Sequence, residues 1–245
     1  MNTETLLLNR TGGTFAAYIA TSCATFPELL ALKDSILHPD EHTYFNTLSA
    51  PKRQHSYLHG RYTAKQAAEV FCPEPTRIKI TAGIFQQPVL EIPGVSNVQL
   101  SLSHTDNWCG VVVFPEAHPM GIDVEMITPE IHETINGIIT EEERRLLPGL
   151  REAIAKPMLP GADMTLLWTM KEALSKTLRT GLMTPLQVYE VNYIIHIDGV
   201  IEAHFTNFAQ YKALSWLSGD HAWSVVLPKN SIPEAAVLAR IIYNQ

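Results

Sequence analysis

The sequence predicts an α+β fold, and three observations lead there. Two stretches, 56–71 and about 165–178, carry apolar residues at helical spacing. Short runs rich in β-branched residues surround them, set off by Gly, Pro, Asn and Asp. Each half also ends in a tryptophan-containing valine strand, Trp108-Cys109-Gly110-Val111-Val112-Val113-Phe114 in the first and 223–227 in the second. This echo leaves two readings open: two related subdomains, or an α+β chain in which the likeness is chance.

Taken in order, residues 15–20 read as a buried strand. The apolar stretch 14–26 lacks a basic leader and is interrupted by Thr21, Ser22 and Thr25, so it is too short and polar to span a membrane. Pro27 opens a helix over 27–37. His38-Pro39-Asp40-Glu41 opens a second, running to about 48. Ser49-Ala50-Pro51-Lys52-Arg53 punctuates the chain before the longer helix 56–71, where Leu58, Tyr62, Lys65 and Glu69 show amphipathic spacing. Pro73 and Pro75 end it. Short strands are expected at 78–80, 89–92 and 98–102, then a strand at 108–114 apolar enough to be central. Pro115 and Pro119 bracket a break. The second half opens with strand 122–126, carries a helix over about 165–178, and closes with strands at 188–197, 201–205 and 222–227.

Composition narrows the class. The chain has 245 residues, 46% hydrophobic and 18% charged, which is an ordinary soluble globular composition. A net charge of -7 and a pI near 5.8 argue against a general nucleic-acid or anionic-membrane binder, which needs a phosphate-neutralising basic surface. An acidic partner would need a local basic patch. Cys23, Cys72 and Cys109 are odd in number and far apart, without a CxxC pair or zinc spacing. They read as reduced, buried small hydrophobes of a cytoplasmic protein. Neither a Walker A loop nor GxGxxG is present, so any phosphate must be met by side chains and metal.

Three local patterns carry chemistry. In Gly121-Ile122-Asp123-Val124-Glu125, apolar and acidic residues alternate, so both carboxylates leave one face of a strand about 6.5 to 7 Å apart at the backbone, close enough to converge on one hard cation. An edge strand with solvated acids would show the same pattern. On the later helix Leu167, Met170, Leu174 and Leu178 form an apolar stripe, with Trp168, Glu172, Ser175, Lys176 and Arg179 roughly opposite. Glu172 and Lys176 could equally be a surface pair contributing about 0.2 to 0.5 kcal/mol, and Trp168 second-layer core. Ser101-Leu102-Ser103-His104 places His104 at a strand end. No nucleophile elbow accompanies it, so a serine triad is not expected.

Ser103-His104, then Gly121-Ile122-Asp123-Val124-Glu125, then Trp168-Thr169-Met170-Lys171-Glu172-Ala173-Leu174-Ser175-Lys176, in that order and spacing, resemble the signature of Sfp-type 4'-phosphopantetheinyl transferases, of the holo-acyl-carrier-protein synthase superfamily. The resemblance reaches upstream through Ser49-Ala50-Pro51-Lys52-Arg53 and Ser56-Tyr57-Leu58-His59-Gly60-Arg61, downstream through Gly181-Leu182-Met183-Thr184-Pro185-Leu186, and covers roughly 39–190. Two loops depart from it. Gln86-Gln87-Pro88 stands where the family commonly has glycine-lysine-proline, and Arg179-Thr180-Gly181 where it has glycine-lysine-glycine.

The resemblance implies a pseudo-dimer of two similar α+β subdomains, 1–117 and 118–245, with the active site in the cleft between them and coenzyme A bound there. It implies Mg²⁺ on Asp123, Glu125 and Glu172, with Lys176 and His104 neutralising pyrophosphate oxygens. The base for the carrier serine would be Glu172 or a water it positions, with Glu143 of Thr140-Glu141-Glu142-Glu143 as the rival. Lys52, Arg53 and Arg61 sit where the family concentrates cations for the 3'-phosphate of coenzyme A. Arg144, Arg145, Arg151 and Lys156 could meet an acidic acyl or peptidyl carrier protein. The expected protein is therefore a cytoplasmic, monomeric transferase with no nucleic-acid or membrane partner. A non-catalytic carrier-binding relative and a Mg²⁺ phosphohydrolase are the alternatives.

Overall fold

Proline sets the start of the first three helices, because its fixed φ suits the first turn and its missing N–H removes nothing there. In the computed structural model, which describes residues 1–154, 158–197 and 199–243, these are α1 (Phe26–Ile36), α2 (Pro39–Phe45) and α3 (Pro51–Ala67). α3 thus begins at the proline read as punctuation, five residues before the expected 56, and the expected helix to 48 stops at Phe45. Lys156 lies outside the described residues. Cys72 and Cys109 are buried as expected, whereas Cys23 is exposed.

The chain falls into two compact units, Met1–His118 together with the segment from Pro233 onward, and Pro119–Ile232. The first unit contains strands β1 (Asn2–Arg10), β2 (Gly13–Ser22), β3 (Lys79–Ala82), β4 (Pro88–Glu91), β5 (Val98–His104) and β6 (Cys109–Pro115). The second contains β7 (Gly121–Met126), α4 (Pro129–Asn136), α5 (Glu141–Ala153), α6 (Ala162–Leu178), β8 (Val191–Ile197), β9 (Val200–Phe205), β10 (Tyr211–Ser218) and β11 (His221–Pro228). The short β12 (Ile232–Pro233) and α7 (Ala235–Tyr243) follow. No described helix is long and apolar enough to cross a membrane.

The sheet orders resolve the echo. The first sheet runs β12-β1-β2-β6-β5 and the second β7-β11-β10-β9-β8. In each, a strand (β2 or β7) leads to a long helix (α3 or α6), and a later hairpin (β5–β6 or β10–β11) returns so that its second strand pairs antiparallel with the first. Each long helix packs on those three strands. The likeness extends to side chains. Glu41 takes Lys65 Nζ at 2.5 Å, the Ile80 N–H at 2.9 Å and the His38 N–H at 3.0 Å. Glu143 takes Lys171 Nζ at 2.7 Å, the Val191 N–H at 3.0 Å and the Thr140 N–H at 2.9 Å. In both halves a helix-capping glutamate ties the long helix to the first strand after it, so the halves are related subdomains.

Several elements lie outside the sequence expectation: β1, β10, α4, α5 and α7. The segment after Pro233 was also expected in the second half. It belongs to the first, where the Glu234 N–H bonds Leu7 O at 3.1 Å and Arg240 holds both Glu4 oxygens at 3.0 Å.

Candidate functional site

In the second unit the site is built where β7 meets α6. β7 is a sheet edge, pairing with β11 so that Asp123 lies opposite Ser224 and Glu125 opposite Ala222. Alternation puts Gly121, Asp123 and Glu125 on one face and Ile122 and Val124 on the other. The helix touches the acidic face. A Cβ on Gly121 would lie 2.1 Å from Ala173 O and 2.5 Å from Thr177 Oγ1, so glycine lets strand and helix come together. The edge-strand reading is right about topology and wrong about solvation, for Asp123 is 1% exposed.

α6 is buried almost all round, and Trp168, Glu172 and Lys176 form its half-exposed stripe at i, i+4 and i+8. The stripe faces the strand carboxylates. Lys176 Nζ lies 2.6 Å from Asp123 Oδ1, and the Trp168 indole N–H donates to Glu125 Oε1 at 3.4 Å. Glu172 Oε1 is buried with no hydrogen-bond partner. Burial, and then the charge of Asp123, pushes the carboxyls of Glu125 and Glu172 up to about 7, although Lys176 pulls both down.

Three carboxylates against one ammonium leave an excess of negative charge, and an orphaned carboxylate oxygen lies among them. An oxygen-only donor set of this kind suits Mg²⁺. As they stand, no three His, Cys, Asp or Glu side chains among the described residues are arranged to hold a metal ion, and the ammonium of Lys176 occupies Asp123.

The first unit contains a basic cavity of about 540 Å³, lined by Lys52, Arg53, Arg61 and His104 together with Tyr44 and Tyr57. Four of the five side chains expected to meet anions are thus brought together, in different circumstances. Arg53 is exposed. Lys52 is exposed and pairs with Asp106 at 2.9 Å. Arg61 stacks over the Tyr57 ring at 3.9 Å and donates to Ile80 O at 3.2 Å, so it also anchors α3. His104, at the end of β5, hydrogen-bonds Ser56 Oγ through Nε2.

Other expectations change. Glu143, the rival base, is 0% exposed with both oxygens committed to Lys171 and backbone N–H groups. In the proposed carrier patch the three described arginines have partners within the chain. Arg144 bonds Asn136 Oδ1 and Asn136 O at 2.7 Å each, Arg145 bonds Glu142 at 2.7 Å, and Arg151 bonds the buried Asp163 at 2.7 Å. In the two departing loops, Gln86 and Arg179 adopt φ of 63° and 59°, a region glycine enters freely. Gln87 Oε1 accepts the Phe85 N–H at 2.9 Å, which a lysine could not do.

Sequence reasoning missed the contacts between Trp168 and Glu125, Ser56 and His104, and Lys52 and Asp106. Trp168 was findable, since it stands one turn before Glu172 on the same face. The other two join segments about 50 residues apart and leave no local signal.

Residues 119–227 match the family model of the 4'-phosphopantetheinyl transferase superfamily. The match lies within the second unit and includes Asp123, Glu125, Glu172 and Lys176. This stretch is a 4'-phosphopantetheinyl transferase superfamily domain. That description supports a transferase and, in general terms, phosphopantetheinyl transfer. Among solved structures, a holo-ACP synthase from Plasmodium yoelii is 17% identical, with 40% of this chain and 91% of that one covered and a TM-score of 0.33. A holo-(acyl-carrier-protein) synthase from Bacillus anthracis in complex with CoA (3',5'-ADP) is 17% identical, over 44% and 96% of the two chains, with a TM-score of 0.34. A holo-[acyl-carrier-protein] synthase from Neisseria meningitidis is 22% identical, over 40% and 96%, with a TM-score of 0.31. No curated protein matches the sequence.

Proposed function

We propose that the protein is a cytoplasmic, monomeric Sfp-type transferase that uses Mg²⁺ to move 4'-phosphopantetheine from coenzyme A to a serine of an apo acyl or peptidyl carrier protein, releasing 3',5'-ADP. The observation that carries this reading is the Trp168, Glu172 and Lys176 stripe set against Asp123 and Glu125 inside the superfamily domain.

Asp123, Glu125 and Glu172 would hold Mg²⁺, which when bound supplies positive charge against the pyrophosphate oxygens. The serine oxygen forms its bond to the phosphorus carrying pantetheine, and the bond from that phosphorus to the departing 3',5'-ADP breaks. The serine proton goes to Glu172 or to a water it positions, since a carboxylate within reach of the attacking oxygen can take it directly or through one water. Lys176 stabilises negative charge that grows on the phosphate oxygens. In the first unit Arg53, with Lys52 and Arg61, is assigned the 3'-phosphate, and His104 a pyrophosphate oxygen.

The test is purified protein with coenzyme A, Mg²⁺ and a panel of apo carriers, read by intact mass. The expected result is a carrier heavier by one phosphopantetheine, abolished by EDTA and by Asp123→Ala. Release of free pantetheine phosphate without any carrier would instead reveal a phosphohydrolase. Carrier binding without any mass gain would identify a non-catalytic binding module.

A further inference from the structure

The contact between Lys176 and Asp123 does not fit a lysine that only waits for a phosphate. At 2.6 Å it is a direct ion pair between a Lys176 side chain that is 27% exposed and an Asp123 side chain that is 2% exposed. The buried end of the pair is one of the three carboxylates assigned to Mg²⁺, and the partly exposed end is the cation assigned to the pyrophosphate. The ammonium blocks Oδ1 and offsets the charge of Asp123, so a divalent ion reaching the other oxygen would do so against a neighbouring positive charge while the ammonium stays. The four-carbon stem of a lysine has rotatable bonds and this side chain is partly exposed, so the ammonium can turn away without moving α6. Glu172 sits one turn before Lys176, and its orphaned Oε1 gives an incoming cation a second carboxylate with no partner to displace.

We infer that Lys176 is a place-holder: in the cation-free protein its ammonium occupies Asp123, it competes with a divalent cation there, and it turns to a phosphate oxygen only after the cation takes Asp123. The inference rests on the metal-dependent reading above and adds to it an order of events. Cation binding releases the lysine, the released lysine strengthens anion binding, and by linkage the anion strengthens cation binding to the same degree. A protein without the lysine would bind the cation better and lose that coupling.

The experiment uses metal-free full-length protein without coenzyme A, with Mn²⁺ as the probe. Binding is followed by electron paramagnetic resonance of free Mn²⁺, first alone and then with inorganic pyrophosphate. Lys176→Gln is expected to bind Mn²⁺ at least tenfold more tightly than the parent, while Asp123→Asn loses the site. In the parent, Mn²⁺ should raise pyrophosphate affinity severalfold more than it does in Lys176→Gln. Lys176→Arg keeps the charge, should retain the parent's weaker Mn²⁺ affinity, and guards against a fold defect in the glutamine variant. Equal or weaker Mn²⁺ binding by Lys176→Gln overturns the inference, as does undiminished coupling. If that happens while Mg²⁺-dependent carrier modification proceeds, the place-holder fails alone. If Lys176→Gln gains Mn²⁺ affinity but no carrier is modified, the place-holder stands and the transfer reading fails.

Discussion

Glu172, a ligand of the proposed site, is a side chain that is costly to the fold. Its carboxyl lies beside Asp123 in a half-buried position, and its pKa rises from an ordinary value of 4.5 to about 7. For an acid raised in the folded state, the unfolded chain ionises first as pH rises. The destabilisation is therefore absent below about 4.5 and complete above about 7. Glu172→Gln should raise the Tm of the metal-free protein at pH 8, leave it nearly unchanged at pH 4, and abolish transfer. A Tm at pH 8 below the parent's would contradict this account of the carboxylate. Arg53 belongs to the same scale. It is exposed on the basic cavity, near the start of α3, where free backbone N–H groups add to the positive field. A charge-assisted phosphate contact contributes about 1.5 to 3 kcal/mol. Arg53→Ala should then erase most of the preference for coenzyme A over dephospho-coenzyme A, roughly tenfold in kcat/KM. A parent that uses both donors equally well would remove the 3'-phosphate from this cavity.

Among the elements, the β7 and α6 pair depends on how closely backbone can approach backbone. Gly121→Ala would drive a methyl into Ala173 O, an atom that cannot turn aside, and should cost about 2 kcal/mol or more in urea unfolding while lowering Mg²⁺-dependent activity. Wild-type stability in this variant would show that the strand has room to shift. At the other end of α6, Arg179 is the C-cap in left-handed conformation. Arg179→Gly should stabilise the protein by about 0.5 to 1 kcal/mol, as should Gln86→Gly at its turn, measured by chemical denaturation. No gain at either position would mean that the arginine or glutamine side chain offsets the backbone strain. These elements were legible to different degrees for physical reasons. β7 and α6 show sharp period-2 and helical patterns because each has a chemically distinct face. β1 alternates too, with Leu6 and Leu8 buried and Leu7 exposed, but its apolar residues are contiguous, so the alternation is masked. α7 buries Val237, Ile241 and Ile242 against a strand more than 200 residues away, a partner no local window contains.

For the whole molecule, duplication was half visible. Two valine strands with tryptophan suggested it, whereas the decisive likeness, Glu41 with Lys65 and Glu143 with Lys171, pairs residues too far apart to be matched by pattern. If the two ion pairs are equivalent tie-points, Lys65→Met and Lys171→Met should each cost about 3 to 5 kcal/mol, because each leaves a glutamate buried without its counter-charge. Adding Glu41→Gln or Glu143→Gln in turn should recover much of the loss. Double-mutant cycles in urea would show it, and strong coupling in one half but none in the other would break the equivalence.

The route of the chain has a mechanical consequence. It leaves the first unit at His118 and re-enters at Pro233, so the superfamily domain is spliced into the first unit as a loop with two covalent anchors. A single nick around 116–119 would therefore leave both pieces joined through the second anchor. Release demands a second scission near 232, where β12 also caps the free hydrogen-bonding edge of β1. Clipping at that point would unmask part of the edge and invite strand-on-strand association, so the same short segment is both a covalent anchor and a guard against aggregation.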